Sequence, residues 1–161
     1  MDSGGLPFPA WDVADPTWSH VVPSVEEMAT GTNVHGDGVG WTTYQLGIRL
    51  VGNAVNCYTI FGKQGERYDC ALNIPAAYQC ATPFGTNQGG VNTAFFMVAN
   101  NAALGYAQFD SWLTVGITGG DANNALSNIG VDFGGWSETQ GIESTNAAVF
   151  WLSPPDAPDR D

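Results

Sequence analysis

Residues Phe109–Phe133, FDSWLTVGITGGDANNALSNIGVDF, read as an apolar strand, a Gly-Asp-Asn loop and a second apolar strand. In the first half Leu113, Val115 and Ile117 fall on one face, with Trp112 and Thr114 on the other. In the second half Ile129, Val131 and Phe133 alternate in the same way. The same period of two recurs along the chain. WTTYQLGIRLV, residues 41–51, sets Tyr44, Leu46, Ile48 and Leu50 against Thr43, Gln45, Gly47 and Arg49, which predicts a strand with one buried face. AVNCYTIF (54–61) and AAVFWL (147–152) are apolar on both faces, as central strands are, and RYDCAL, AYQC and TAFFMVA are further short candidates. The loop PFGTNQGG (83–90) has the glycines and asparagine of tight turns. About 7–8 short strands separated by turn signals, with no helical stretch of ~12 residues for a βαβ crossover, give an all-β fold: an antiparallel β-sandwich or jelly roll.

Residues 1–40 differ from the remainder. They hold Pro7, Pro9, Pro16 and Pro23, end in a link containing Gly36, Gly38 and Gly40, and carry Leu6, Phe8, Trp11, Trp18, Val21 and Val22. Proline denies such a segment a regular ladder, so it reads as an extended arm that packs its aromatics on its own domain or on a neighbour. Within it, Ser24 as N-cap with Glu26 and Glu27 in the first turn predicts a short helix over 24–30. The sandwich domain then spans 41–152, and a Pro/Asp tail, SPPDAPDRD, spans 153–161.

The 161 residues fit one domain. Charged residues are only 12%, and a net charge of −12 arises because Lys and Arg total four. That field repels phosphate backbones and anionic lipid, which argues against nucleic acid as a partner and favours a basic one. No apolar run approaches ~20 residues, so no segment is expected to span a bilayer. The start, MDSGGLPFPAW, lacks the basic and apolar regions of a signal peptide. A hairpin turning at Lys63-Gln64 would set Cys57 opposite Cys70, near enough for a disulfide; Cys70–Cys80 is the competing pair, and three reduced thiols the third possibility. A bridge would favour an oxidising extracellular or organelle-lumen compartment.

Chemistry-bearing side chains are sparse. His20 and His35 stand fifteen residues apart with no zinc-site spacing. Asp121, Asn123 and Asn124 could offer oxygens to calcium, although the same residue types also bond their own loop backbone. Asp110, Asp121, Asp132, Glu138 and Glu143 are the carboxylates of the C-terminal half, and no spacing among them selects an acid–base pair. There is no G-x-S-x-G elbow, and GDGVG (36–40) is not a nucleotide-binding loop. No catalytic residue and no cofactor is therefore expected. Six Trp, five Tyr and eight Phe are the remaining signal. Trp41, Trp112, Trp136 and Trp151 with Asn87, Gln88 and Asn92 could build a sugar-binding platform, or the aromatics could fill the core. Trp11, Trp18, Trp112 and Trp136 are the candidate partner-contact residues.

The runs AYQCATPFGTNQGGVNTAFF, FDSWLTVGITGGDANNALSNIGVDFGGW and AAVFWLSPPDAP together resemble a β-sandwich module of marine microalgal and some bacterial proteins. The resemblance covers roughly Tyr44 to Ala157, with DSWLTVG and the spaced IGVDF as its marks. It implies fold and broad origin and assigns no site residue. The expected function is a non-catalytic structural or accessory subunit that docks into a larger assembly through its arm and tail. Such an assembly could be a shell, an extracellular array or the lumenal face of a photosynthetic membrane complex. The alternative is a carbohydrate-binding module with a calcium-stabilised loop.

Overall fold

Alternating β-branched and aromatic residues, punctuated by glycine and asparagine, favour short extended segments over helix. The structure, a computed structural model, describes residues 20–65 and 70–158. Among these residues the fold is all-β, and its only helical pieces are 3₁₀ turns. The strands are β1 (Val21–Thr32), β2 (Trp41–Leu50), β3 (Thr59–Lys63), β4 (Leu72–Ile74), β5 (Asn100–Asn101), β6 (Gly105–Tyr106), β7 (Leu126–Ile129), β8 (Ile142–Ser144) and β9 (Asn146–Trp151). They form small antiparallel sheets with the orders β1–β2, β3–β9–β7, β4–β8 and β5–β6. As its two apolar faces imply, β9 is the central strand of the three-stranded sheet, and Val149 on it is fully buried.

Two hydrophobic clusters hold these pieces together. The first gathers Val34, Tyr78, Cys80, Val91, Ala99 and Ala107, with Trp41, Phe84, Phe95 and Trp112 among the side chains packed on it. The second is Val115, Leu126 and Val149, flanked by residues that include Ile60, Leu113, Ile117 and Trp151. Leu113, Val115 and Ile117 thus go to one core and Trp112 to the other, as their alternation predicts. Yet DSWLTVGIT is not a sheet strand: it makes only an isolated parallel bridge between Leu113 and Gln88. The Thr114 hydroxyl bonds the Ile117 carbonyl, closing a turn where a strand would have continued.

Other expectations are corrected by local competition from side chains. TAFFMVA forms a 3₁₀ turn, Thr93–Met97, because the Asn92 side chain accepts the Ala94 N–H at 2.9 Å and caps it. The helix expected over 24–30 is instead part of β1, whose partner β2 supplies the ladder; Val25↔Leu46 and Glu27↔Tyr44 are cross-strand neighbours. Pro23 is accommodated because a two-stranded ribbon leaves each strand one free edge. The turn at Lys63-Gln64 is absent: Lys63 pairs with Cys70, exchanging N–H···O bonds of 2.7 and 3.1 Å. Cys70 is therefore not opposite Cys57, and all three cysteines are free thiols.

The β1–β2 ribbon crosses the boundary expected at residue 40 and is seated at both ends. At its closed end Val34 is buried in the first cluster, and at its open end the Val51 N–H bonds the His20 carbonyl at 2.9 Å. Between the ends one face carries Pro23, Val25, Tyr44, Leu46 and Ile48, and Val25, Tyr44 and Leu46 are each more than half exposed, at 55, 57 and 58%. The alternation in β2 is as expected, but its apolar face is open. Among the described residues no helix is long and apolar enough to cross a membrane.

Gly62 of β3 is the tightest backbone approach between sheets. A Cβ there would overlap the Leu72 amide nitrogen and the Ser144 carbonyl oxygen, both backbone atoms that cannot swing aside. Gly65 has open space at the same position. Gly62→Ala is expected to cost about 2–4 kcal/mol in urea unfolding, in the range of severe overpacking. Gly65→Ala should change stability by less than about 0.5 kcal/mol.

Candidate functional site

Asp110 is the buried charged residue of the first cluster, only 6% exposed, and it follows the 3₁₀ turn Ala107–Phe109. Its Oδ1 accepts the Cys80 N–H at 2.7 Å and its Oδ2 accepts the Thr86 N–H at 2.7 Å. This carboxylate clamps a loop 24 to 30 residues away. Burial raises its pKa to about 6, outweighing the backbone N–H groups of Cys80, Thr86 and Ser111, which lower it.

Around it lie a thiol and a phenol. The Tyr78 hydroxyl accepts the Tyr106 N–H at 3.0 Å, and burial raises the Tyr78 pKa. Burial, and then the charge of Asp110, raise the Cys80 pKa, so this thiol stays protonated at neutral pH. A protonated thiol beside a carboxylate already spent on backbone donors is a poor nucleophile–base pair.

His35 was expected in an arm remote from the strands. The structure brings it onto the body: its Nε2 is 2.7 Å from a Glu138 carboxylate oxygen, and its ring meets Trp41 and Tyr78 edge-on at 5.8 and 5.6 Å. This seat of the ribbon is imperfectly satisfied. Asn33 Oδ1, Trp41 Nε1 and the Gln79 amide are buried polar atoms that find no hydrogen-bond partner among the described residues. No signal in the sequence points to the His35–Glu138 contact, which joins residues a hundred positions apart.

Asp121 accepts the Ala125 and Leu126 N–H groups, one on each oxygen, both at 2.8 Å. Its carboxylate thus closes its own loop, which Asn124 completes with φ +51° and an N–H to the Asp121 carbonyl. Asn123 and Asn124 are exposed in that turn. Among the described residues no three His, Cys, Asp or Glu side chains cluster as metal ligands.

The four tryptophans of the platform are dispersed: Trp41 and Trp112 pack on the first cluster, Trp151 on the second, and Trp136 beside Phe133. Trp136 is buried, with its indole N–H on the Pro75 carbonyl at 2.9 Å, so it offers no contact surface to a partner. The Trp151 indole N–H bonds the Val115 carbonyl at 2.6 Å, and Trp41 and Trp112 are half-buried against the first cluster. Asn87 donates to the Phe133 carbonyl, and Gln88 accepts from Asn128. Trp11 and Trp18 lie outside the described residues.

Two open surface features remain. A shallow groove of about 220 Å³ runs between the 83–92 segment and the 120–122 loop, with Phe84 and Phe95 meeting edge to face at 5.7 Å beside it. A second, of about 250 Å³, lies at the root of the ribbon, between Val21, Ile48 and Leu50 on one side and Ala54 to Thr59 on the other. No protein-family model matches the chain, and no curated protein or solved structure is similar to it.

The raised Asp110 pKa has a definite consequence for stability. The native protein holds this proton up to about pH 6 and an unfolded chain releases it near 3.8, so the contribution is full below pH 3.8 and is lost as pH rises through 6. Between pH 4 and 7 the wild type should lose about 2 kcal/mol that Asp110→Asn does not lose. Urea unfolding of both proteins across that range measures the difference.

Proposed function

We propose that this protein is a non-catalytic accessory subunit, an irregular β-sandwich that docks onto another protein through the open face of its β1–β2 ribbon. The observation that carries this reading is the strip Val25, Tyr44, Leu46 and Ile48, which is apolar, contiguous and exposed. A two-stranded ribbon is marginal in water on its own, and one that shows aliphatic side chains along its length gains from a cover. The strip runs on into the groove at the ribbon root through Ile48, Leu50 and Val21.

Charge selects the kind of cover. Two copies, each at −12, would repel, whereas a partner with an apolar ridge rimmed by Lys and Arg would be drawn in. Glu27, opposite Tyr44 on the same face of the ribbon, would meet that rim. The chemistry of the buried cluster agrees with a binding role, since Asp110 is engaged with backbone and the Cys80 thiol is held protonated.

A photo-crosslinking residue at position 46 in the native cell, with position 132 as an exposed control, identifies the partner, and purified components then measure affinity. Leu46→Glu is expected to weaken binding by about 100-fold or more while altering unfolding stability by less than about 0.5 kcal/mol. Binding should also weaken with salt, as contacts to a basic rim do. A purified protein that dimerises through the strip, or a partner whose affinity ignores Leu46→Glu, would overturn the assignment.

A further inference from the structure

We propose that the groove between residues 83–92 and 120–122 is a binding site for a neutral pyranose ring, separate from the docking ribbon. Its lining has two kinds of surface. Phe84, Phe95 and Pro83 are apolar, and Thr86, Asn92 and Asp121 are polar. A pyranose has the same division, with C–H bonds on its ring faces and hydroxyls around its edge. Polarised C–H bonds are drawn to the electron-rich face of an aromatic ring. Hydroxyls both give and receive hydrogen bonds, so they suit a rim that contains an amide donor and a carboxylate acceptor.

The polar rim is only partly spent on the protein itself. Asn92 uses its oxygen to cap the Ala94 N–H, and among the described residues its Nδ2 donor has no acceptor. Each Asp121 oxygen takes one backbone N–H and keeps a further lone pair. Rigidity comes from the loops behind. Gly120, at φ +94°, is backed against the Asn92 backbone, and its N–H donates to the Gly89 carbonyl at 3.1 Å. The Thr86 amide is held by Asp110, so the buried carboxylate also positions one wall.

Charge and size narrow the ligand. Among the described residues no Lys, Arg or His lines the groove, and Asp121 does, so phosphate, sulfate and carboxylate groups are disfavoured. The volume, about 220 Å³, lies below the ~300–1,000 Å³ typical of sites for drug-sized ligands and suits a single ring. Among the described residues no tryptophan lines this site. It also needs none of the ribbon residues.

The test is a titration of ¹⁵N-labelled protein with methyl glucopyranoside, methyl galactopyranoside and methyl mannopyranoside, with sorbitol as an acyclic polyol control. At least one pyranoside should shift amides of Phe84–Thr86, Gly90–Asn92 and Asp121–Ala122, with half-saturation on the order of 1–10 mM, as a ligand of that size allows. Ala122 is exposed at the edge of the groove, so Ala122→Trp should fill the space, abolish the shifts and leave the melting temperature and ribbon-mediated partner binding unchanged. Asn92→Ser keeps a capping oxygen and removes the amide donor, and should weaken binding several-fold. The proposal is overturned by no shifts at ~100 mM of any pyranoside, by shifts centred elsewhere, by equal binding of sorbitol, or by Ala122→Trp binding like the wild type.

Discussion

The carboxylate of Asp110 takes the Cys80 and Thr86 N–H groups into a largely apolar cluster, and the rest of the structure is arranged about that clamp. Burying a charge is costly unless hydrogen bonds compensate for lost water, and here backbone donors from a distant loop supply them. In return, the loop from Cys80 to Thr86 is tied to the segment that begins with Asp110. That segment then sends Trp112 into one core and Leu113, Val115 and Ile117 into the other. A single carboxylate therefore couples the two cores through the chain that leaves it. The raised pKa is the cost of this arrangement, because burial opposes the charge that the N–H donors require.

Short sheets follow from the same economy. With strands of two to six residues outside the ribbon, no ladder is long enough to dominate, and side-chain-to-backbone bonds carry much of the order. Asp121 closes the 121–126 loop, Asn92 caps the 3₁₀ turn, and the Trp136 and Trp151 indoles reach backbone carbonyls across the fold. Each tryptophan brings a large apolar area and one donor that must be satisfied, so the buried Trp136 and half-buried Trp151 act as staples rather than as a display surface. The aromatic richness of the chain is accounted for largely by packing. Among the described residues the apolar surface left open includes the ribbon strip with Tyr44, the Phe84–Phe95 wall of a shallow groove, and scattered side chains such as Phe61, Met97 and Ile129.

The ribbon's seat has a different character. His35, Glu138, Trp41 and Tyr78 meet there, and among the described residues several buried polar atoms at the seat have no partner. Both oxygens of the Asp110 clamp, by contrast, accept a backbone N–H. A ribbon held at its two ends and open along its middle can meet a partner without disturbing the cores.

Much of the all-β class was written in local pattern. The period-two alternation in 41–50 and the doubly apolar run 147–152 gave β2 and the central strand β9 directly, since these residues have the propensity and periodicity of strands. The alternation in Leu113 to Ile117 likewise foretold which side chains share a core, although no ladder forms there. Composition determined the charge. Tertiary structure decided the rest, because it depends on groups far apart in sequence. Ser24–Thr30 has acceptable helix caps, yet β2 offered it a full ladder, and cross-strand bonds outweigh a short helix with a costly nucleus. The destination of the Asp110 oxygens, the contact of His35 with Glu138 and the register that parts Cys57 from Cys70 are long-range pairings with no local signature. Which apolar face is covered and which is left open is also set by the neighbours that fold against it, and the alternation of β2 reads the same in either case.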